Sequence, residues 1–323
     1  MIRCKDIAEM VGVSRQAVTA VLNNSRPNCV SPEKRSEILK IAAKYNYRPN
    51  HAALALKTGK SNLIGIVMPP WHNPYIAELC MALQRALTAW NYTPFFTIDN
   101  NLNPVPGNLE QLLSLQVAGM ITVASSLLPD NIDIPVVSYF IDDPRFDSVC
   151  IDSHTSSRQI SGYLQKCGHR KIGYLGFADI RTKLLSEETT RCGLEFHERW
   201  QVSTPDPSSE NLFDRLLELN SGKDLPTALI IHNDALALKI MRRIHDRGCR
   251  VPEDFSIIGY DNISHSANSV PGLTTVSSGT SDEIASAMVS LLMNRLKNPQ
   301  LPRQKILLKS ELIERESVAD LTK

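Results

Sequence analysis

The stretch that decides the fold of the first domain runs from Lys5 to Asn23 and reads KDIAEMVGVSRQAVTAVLN. Its apolar residues follow helical spacing on both sides of Gly12, which predicts two short helices joined by a tight turn. Ser14 suits the N-cap of the second helix, because its hydroxyl can accept a backbone N–H of the first turn. The pattern predicts a helix-turn-helix, and a small helical bundle without a nucleic-acid role is the alternative.

The second helix of this pattern carries three residues suited to reading DNA. Arg15 and Gln16 point outward at its start, and Ala20 follows one turn later. In the major groove Arg pairs with guanine, Gln pairs with adenine, and Ala contacts the thymine methyl group. We therefore expect Arg15, Gln16 and Ala20 to read bases.

The charge of the chain is divided unevenly along its length. The formal net charge of the 323 residues is +1, but residues 1–60 carry +7 and the remainder carries −6. Such a division is typical of a nucleic-acid-binding arm on an acidic body. Solvated helical faces rich in lysine would give the same numbers, so charge alone leaves both interpretations open.

A third helix begins at Ser31-Pro32-Glu33, with an N-cap, a first-turn proline and an acidic residue. Together with the two preceding helices and the residues that follow it, this helix resembles the head of the LacI/GalR family of bacterial transcription regulators. The matching residues are Lys5-Asp6-Ile7-Ala8, Gly12-Val13-Ser14, Val18, Val21-Leu22-Asn23, Val30-Ser31-Pro32-Glu33, Tyr47-Arg48-Pro49-Asn50, Ala53 and Leu56-Lys57-Thr58-Gly59-Lys60-Ser61.

The resemblance implies a homodimer that binds double-stranded DNA at a near-palindromic operator. It implies a hinge that folds on DNA and enters the minor groove through Ala53, Leu56 and Lys57. It also places three polar residues near the phosphate backbone, namely Ser14, Thr19 and Asn23. The loop at residues 24–29 is slightly longer than the family pattern.

From Leu63 onward, apolar runs of strand length alternate with helical stretches. Nearly continuous apolar strands between helices predict parallel, doubly wound α/β sheets, and some 260 residues suffice for two of them. The absence of G-x-G-x-x-G argues against dinucleotide binding. This part is similar to the family core, which is like periplasmic sugar-binding proteins in having two lobes and a ligand cleft.

The expected domains are a helix-turn-helix at 1–48, a hinge at 49–62 and an effector-binding and dimerisation core at 63–323. Lobe one is expected at 63–150 and 277–304, and lobe two at 151–276 and 305–323. The chain would thus cross between the lobes near residues 150, 276 and 304.

Polar residues follow several strands at the edge where α/β sheets bind ligands. By family position, the effector contacts would be Asn73, Tyr75, Phe140, Thr190, Asn233 and Asp261. Asn233 as a helix N-cap and Asp261 as a turn residue are the structural alternatives.

Departures from the family pattern weaken the resemblance at the ligand site, among them the absence of the usual Asp before Asn73-Pro74. Thr190 takes the place of an arginine that usually pins the ligand, and Phe140-Ile141 replaces a common Asp-Arg pair. Trp71, Tyr75 and Phe140 either stack on a ring or close the cleft. A carbohydrate, another small molecule or no effector therefore all remain open.

Other protein classes fit less well. The first residues contain no apolar signal segment, and the seven cysteines are scattered, which predicts reduced thiols in a cytoplasmic protein rather than a secreted solute-binding protein. No metal, phosphate-loop or nucleophile motif occurs, so we expect neither an enzyme nor a cofactor. The sequence predicts a DNA-binding repressor controlled by a small molecule.

Overall fold

The computed structural model describes residues 2–22, 29–47, 61–69, 73–98, 106–123, 125–204, 211–220 and 224–323. The chain divides into two compact units, Met1–Asn62, here called the head, and Leu63–Lys323, here called the core. Within the described ranges, every helix is too short or too polar to span a lipid bilayer.

The head contains three described helices, α1 (Cys4–Val11), α2 (Arg15–Leu22) and α3 (Pro32–Lys44). The Ser31 hydroxyl caps α3 by accepting the N–H of Lys34, with Pro32 in the first turn. All three helices contribute to one apolar cluster, whose buried members are Ile7, Ala8, Val11, Val18, Val21, Ile38 and Ala42. This packing fixes the angle at which α1 and α2 cross.

The first sheet of the core is entirely parallel. Its strands are β1 (Leu63–Met68), β2 (Thr93–Ile98), β3 (Gly119–Thr122), β4 (Val136–Tyr139), β5 (Asp147–Ile151) and β11 (Lys305–Leu308). They lie in the order β11-β5-β4-β3-β1-β2. Strands β1, β3 and β4 are almost wholly buried, as their continuous apolar sequences predict.

The second sheet is parallel except at one edge. Its strands are β6 (Ile172–Gly176), β7 (Gln201–Ser203), β8 (Ala228–Ile231), β9 (Ser256–Tyr260), β10 (Thr274–Ser277) and β12 (Glu311–Ile313). They lie in the order β12-β10-β9-β8-β6-β7, with β12 antiparallel to β10. The prediction of two sheets is confirmed, with this antiparallel edge strand as an addition.

Eight helices of the described core connect and cover these sheets. They are α4 (Pro74–Ala89), α5 (Pro106–Ser114), α6 (Ser153–Lys166), α7 (Ile180–Arg191), α8 (Leu212–Leu219), α9 (Asp234–Asp246), α10 (Ser264–Asn268) and α11 (Ser281–Lys297). In lobe one, α4 and α11 pack against each other and share one apolar cluster with the first sheet.

The third crossing between the lobes lies later than the sequence predicts. Lys305–Leu308 pairs in parallel with β5, so it belongs to lobe one rather than lobe two. The chain enters lobe two only before β12, and the boundary expected at residue 304 is therefore wrong. Lobe one here means the first sheet with α4, α5 and α11, and lobe two means the second sheet with α6 to α10.

A buried ion pair fixes this return of the chain in lobe one. Arg295 of α11 forms two hydrogen bonds with Asp147 of β5, at 2.9 and 2.7 Å. The same guanidinium donates to the carbonyls of Pro299 and Pro302, while Asp147 also accepts the N–H of Gln304. The turn before β11 is thereby tied to both α11 and β5.

Candidate nucleic-acid interface and candidate ligand site

The turn between α1 and α2 has the geometry that a helix-turn-helix requires. Gly12 adopts a left-handed φ of 67°, which glycine tolerates without strain, and the N–H of Val13 returns to the carbonyl of Ala8 at 3.0 Å. The Ser14 hydroxyl accepts the N–H of Ala17 at 3.1 Å and so satisfies the first turn of α2.

The exposed face of α2 carries two of the three expected base-reading residues. Arg15 and Gln16 are exposed at the start of the helix. Ala20 is only 9% exposed, so the head itself covers its methyl group. The expectation that Ala20 shares a base-reading face with Arg15 and Gln16 is therefore corrected.

Of the three residues expected near phosphate, Ser14 and Thr19 are described. The Thr19 hydroxyl donates to the carbonyl of Arg15 at 3.0 Å and lies 3.4 Å from the Cys4 thiol. Asn23 lies outside the described residues, and so do Ala53, Leu56 and Lys57 of the expected hinge and the loop at 24–28.

At the carboxyl edge of the second sheet lies an arginine that the sequence analysis missed. Arg181 stands in the first turn of α7, directly after β6, and its side chain is 18% exposed. Its guanidinium donates to Asp179 at 2.6 Å, to the carbonyl of His232 at 3.1 Å and to Nδ1 of His232 at 2.8 Å. It also lies 4.7 Å from the centre of the Tyr260 ring.

These contacts determine the charge states of Asp179 and His232. Burial alone would raise the pKa of Asp179, but the Arg181 guanidinium outweighs it and lowers that pKa. Burial and the same guanidinium lower the pKa of His232 to about 3, so its neutral ring accepts through Nδ1. Asp179 also caps α7 by accepting the N–H of Arg181.

Thr190 is not placed to contact a ligand beside Arg181. It lies near the other end of α7, is exposed, and donates its hydroxyl to the carbonyl of Ser186 at 2.8 Å. Thr190 is nine positions after Arg181, and a helix rises 1.5 Å per residue, so the two residues are separated by roughly 13.5 Å along the helix. The expectation that Thr190 contacts the effector is therefore wrong.

Asp261 stands at the end of β9 and faces lobe one. The Asn73 side chain donates to its Oδ2 at 2.7 Å across the boundary between the lobes. Asp261 and Asn262 both have positive φ, 101° and 51°, which non-glycine residues adopt at a cost in conformational energy. Arg315 holds this turn by donating to the Asn262 side chain at 2.7 Å.

Beneath this turn lies Asp234, a fully buried carboxylate. It accepts the hydroxyls of Thr275 and Ser266 at 2.6 and 2.5 Å, and the N–H of Ile263 at 3.1 Å. Burial, with the nearby charge of Asp261, raises its pKa to about 7, although the three donors oppose the shift. For Asp261 itself, its enclosed position raises the pKa to about 6 against the opposing effects of Asn73 and Arg181.

Lobe one contributes three aromatic side chains to this region. The hydroxyls of Tyr75 and Tyr139 are hydrogen-bonded to each other, and burial raises the pKa of both. Phe140 has a φ of 68°, is 41% exposed, and lies with its ring centre 3.9 Å from that of Tyr139 and 6.5 Å from that of Tyr75. Trp71 lies outside the described residues.

Asn233 is a helix N-cap, which is the structural alternative to an effector contact. Its side-chain oxygen accepts the N–H of Leu236 at 2.9 Å and so caps α9. Asn73 plays the same part for α4 by accepting the N–H of Tyr75 at 3.1 Å, and its amide group makes the contact with Asp261 as well. The structure thus brings together Asn73, Tyr75, Phe140 and Asp261, adds Arg181, and removes Thr190.

Two parts of the chain match families of known proteins. Residues 3–50 match the bacterial regulatory proteins of the lacI family, and residues 162–318 match a periplasmic binding protein-like domain. The HTH-type transcriptional repressor PurR of Mannheimia succiniciproducens is 29% identical, over 98% of this chain and 99% of its own length. That of Pasteurella multocida is also 29% identical, with the same coverage.

The head is thus similar to the LacI family of bacterial regulatory proteins, and much of the core is similar to a periplasmic binding protein-like domain. The fold of the chain is also that of two solved transcription regulators. The Lac repressor dimer bound to operator and the anti-inducer ONPF has a TM-score of 0.81 at 22% identity, covering 98% of this chain and 99% of that one. The complex of the transcriptional regulator CelR with cellobiose has a TM-score of 0.69 at 22% identity, covering 98% of this chain and 100% of that one.

In the core, we expect Gly259→Ala to disturb the Asp234 contacts. A Cβ at residue 259 would lie 2.1 Å from the Asp234 carboxylate, which cannot move without losing its donors. Overpacking of this kind lowers the free energy of unfolding by about 1–3 kcal/mol. Urea unfolding followed by circular dichroism measures the change.

Gly162→Ala is the matched control for this prediction. A Cβ there meets no atom within 4 Å, and residue 162 lies inside α6. Alanine should raise the free energy of unfolding by up to about 1 kcal/mol, because it favours helix. Equal effects of the two substitutions would show that the close approach of Gly259 to Asp234 has no energetic importance.

Proposed function

We propose that this protein is a cytoplasmic transcription repressor that binds a near-palindromic DNA operator as a homodimer. The observation that carries the proposal is the exposure of Arg15 and Gln16 at the start of α2, in a head that is similar to the LacI family. The PurR relatives are repressors rather than enzymes, which supports regulation over catalysis.

The proposed DNA contacts divide by their chemistry. Arg15 and Gln16 read base edges in the major groove, while Ser14, Thr19 and Asn23 lie along phosphates. Ala53, Leu56 and Lys57 of the hinge enter the minor groove and kink the duplex. Each of the two copies of the chain in the dimer binds one half-site of the operator.

The core is proposed to bind a small molecule between the lobes. Arg181 and Asp261 offer a guanidinium and a carboxylate, Asn73 offers an amide, and Tyr75 and Phe140 offer aromatic surface. A ligand with several hydrogen-bonding groups on a ring, such as a carbohydrate, suits this set. The CelR structure, which shares this fold, holds the carbohydrate cellobiose.

Ligand binding at this place would act on DNA through the lobes. A ligand that touches both lobes favours one relative orientation of them. That orientation sets the spacing of the two hinges in the dimer and hence their ability to fold on the operator.

Arg15→Ala should relax base preference rather than abolish DNA binding. In competition binding to an operator obtained by selection from random DNA, we expect a loss of about 1–3 kcal/mol of discrimination at one or two base pairs per half-site. Thr19→Ala is the control, and it should weaken all sequences by a similar factor. A uniform loss with Arg15→Ala would assign Arg15 to phosphate and contradict base reading.

Arg181→Ala should remove the response of the core to its ligand. A thermal-shift screen against sugars, purines and phosphorylated metabolites should find a compound that stabilises the wild-type protein, by about 2.7 kcal/mol at a hundred times its Kd. The shift should disappear in Arg181→Ala, measured against that variant's own melting temperature. Thr190→Ala, on the same helix, should retain it, and loss of the shift in both variants alike would contradict the assignment.

A further inference from the structure

One hydrogen bond joins the two lobes directly at the candidate ligand site. Asn73 belongs to lobe one and its Nδ2 donates to Oδ2 of Asp261 in lobe two at 2.7 Å. The other end of the same amide accepts the N–H of Tyr75 and caps α4. The side chain is therefore held in place by lobe one while it contacts lobe two.

An apolar contact accompanies this hydrogen bond. Ile263, two residues after Asp261, is buried in the apolar cluster of lobe one, with Ala235 and Leu238 of α9 packed against the same cluster. The backbone N–H of Ile263 donates to Asp234. Both carboxylates thus act on segments of lobe two that touch lobe one.

We infer that Asn73 and Asp261 form a latch between the lobes, and that protonation of Asp261 sets how readily the lobes separate. This extends the regulation of the proposed ligand site, and only its consequence for DNA depends on the proposed function.

The charged and titratable groups facing Asp261 come from four elements. They are Tyr75 of α4, Tyr139 of β4, Arg181 of α7 and Asp234 of α9. The two tyrosines stay neutral near neutral pH because burial raises their pKa values. Burial alone would lower the pKa of Arg181, but the carboxylate of Asp179 raises it, so Arg181 stays charged. The groups that titrate in the physiological range are therefore the two carboxylates.

The direction of the pH effect depends on whether the carboxyl group binds its proton more tightly with the lobes in contact or with the lobes separated. With the lobes in contact, the pKa of Asp261 is about 6 and that of Asp234 is about 7. Separation of the lobes would expose Asp261 to water, where an Asp has a pKa near 4, so it releases the proton of Asp261. Asp234 stays enclosed by its donors in lobe two. Acid therefore favours the latched state, and this advantage is lost as the pH rises through about 6. A protonated Asp261 still has a lone pair on Oδ2 for Asn73.

The test measures the distance between the lobes in the full-length protein without DNA. Fluorophores on unnatural amino acids at the exposed positions Asn294 in lobe one and Glu187 in lobe two report energy transfer, with excess unlabelled chain to suppress transfer between subunits. Between pH 8 and pH 5, the wild type should show a transition toward the latched distance with its midpoint near pH 6.

Three variants make the test specific. Asp261→Asn should lose at least half of the transition. Asn73→Asp places a second carboxylate against Asp261, so it should enlarge the transition and move its midpoint upward by about one pH unit or more, as two carboxylates that share a site do. Asp246→Asn, an exposed carboxylate of α9 paired with Arg242, should leave the profile unchanged.

Two results would overturn the latch. One is a wild-type distance that stays constant from pH 8 to pH 5. The other is a profile that Asp261→Asn and Asn73→Asp both leave as it is in the wild type. Because no DNA is present, either result would count against the latch while leaving operator binding as a separate question.

Discussion

The buried carboxylate of Asp234 is the constraint on which the arrangement between the lobes depends. Its three donors come from Ile263, Ser266 and Thr275, and the absence of a side chain at Gly259 makes room for it. A buried acceptor with this many partners is costly to disturb. It therefore fixes the segment that follows β9, and with it the position of Asp261 opposite Asn73.

The sequence predicts the interior of the core well and its margins less well. β1 and β8 are continuous apolar runs in the sequence, because burial on both faces leaves little room for polar residues. The edge strands β7 and β12 have three residues each and are partly exposed, so periodicity gives little signal for them. β11 is also at an edge, and its place in lobe one follows from its pairing with β5, which the sequence pattern does not specify.

The sequence predicts part of the candidate site, and individual residues show why the other part is not predicted. Asp261 directly follows β9, while Asn73 and Tyr75 begin the helix that comes after β1. These two strand ends meet through the hydrogen bond between Asn73 and Asp261. Asp179 and Arg181 satisfy the same rule after β6, so that signal was present in the sequence. The family spacing predicts an effector contact at Thr190, but its register does not hold in α7. The burial of Ala20 depends on packing that helical spacing does not specify.

The central claim is that contact between the lobes of the core governs how the head binds DNA. The most direct measurement is the affinity of full-length Asn73→Ala for a selected operator, beside wild type and Asn220→Ala, whose amide donates to the carbonyls of Arg199 and Leu216 in lobe two. We expect Asn73→Ala to change the affinity at least about fivefold, the lower end of typical coupling free energies, without changing base preference. An affinity equal to that of wild type and of Asn220→Ala would contradict the claim.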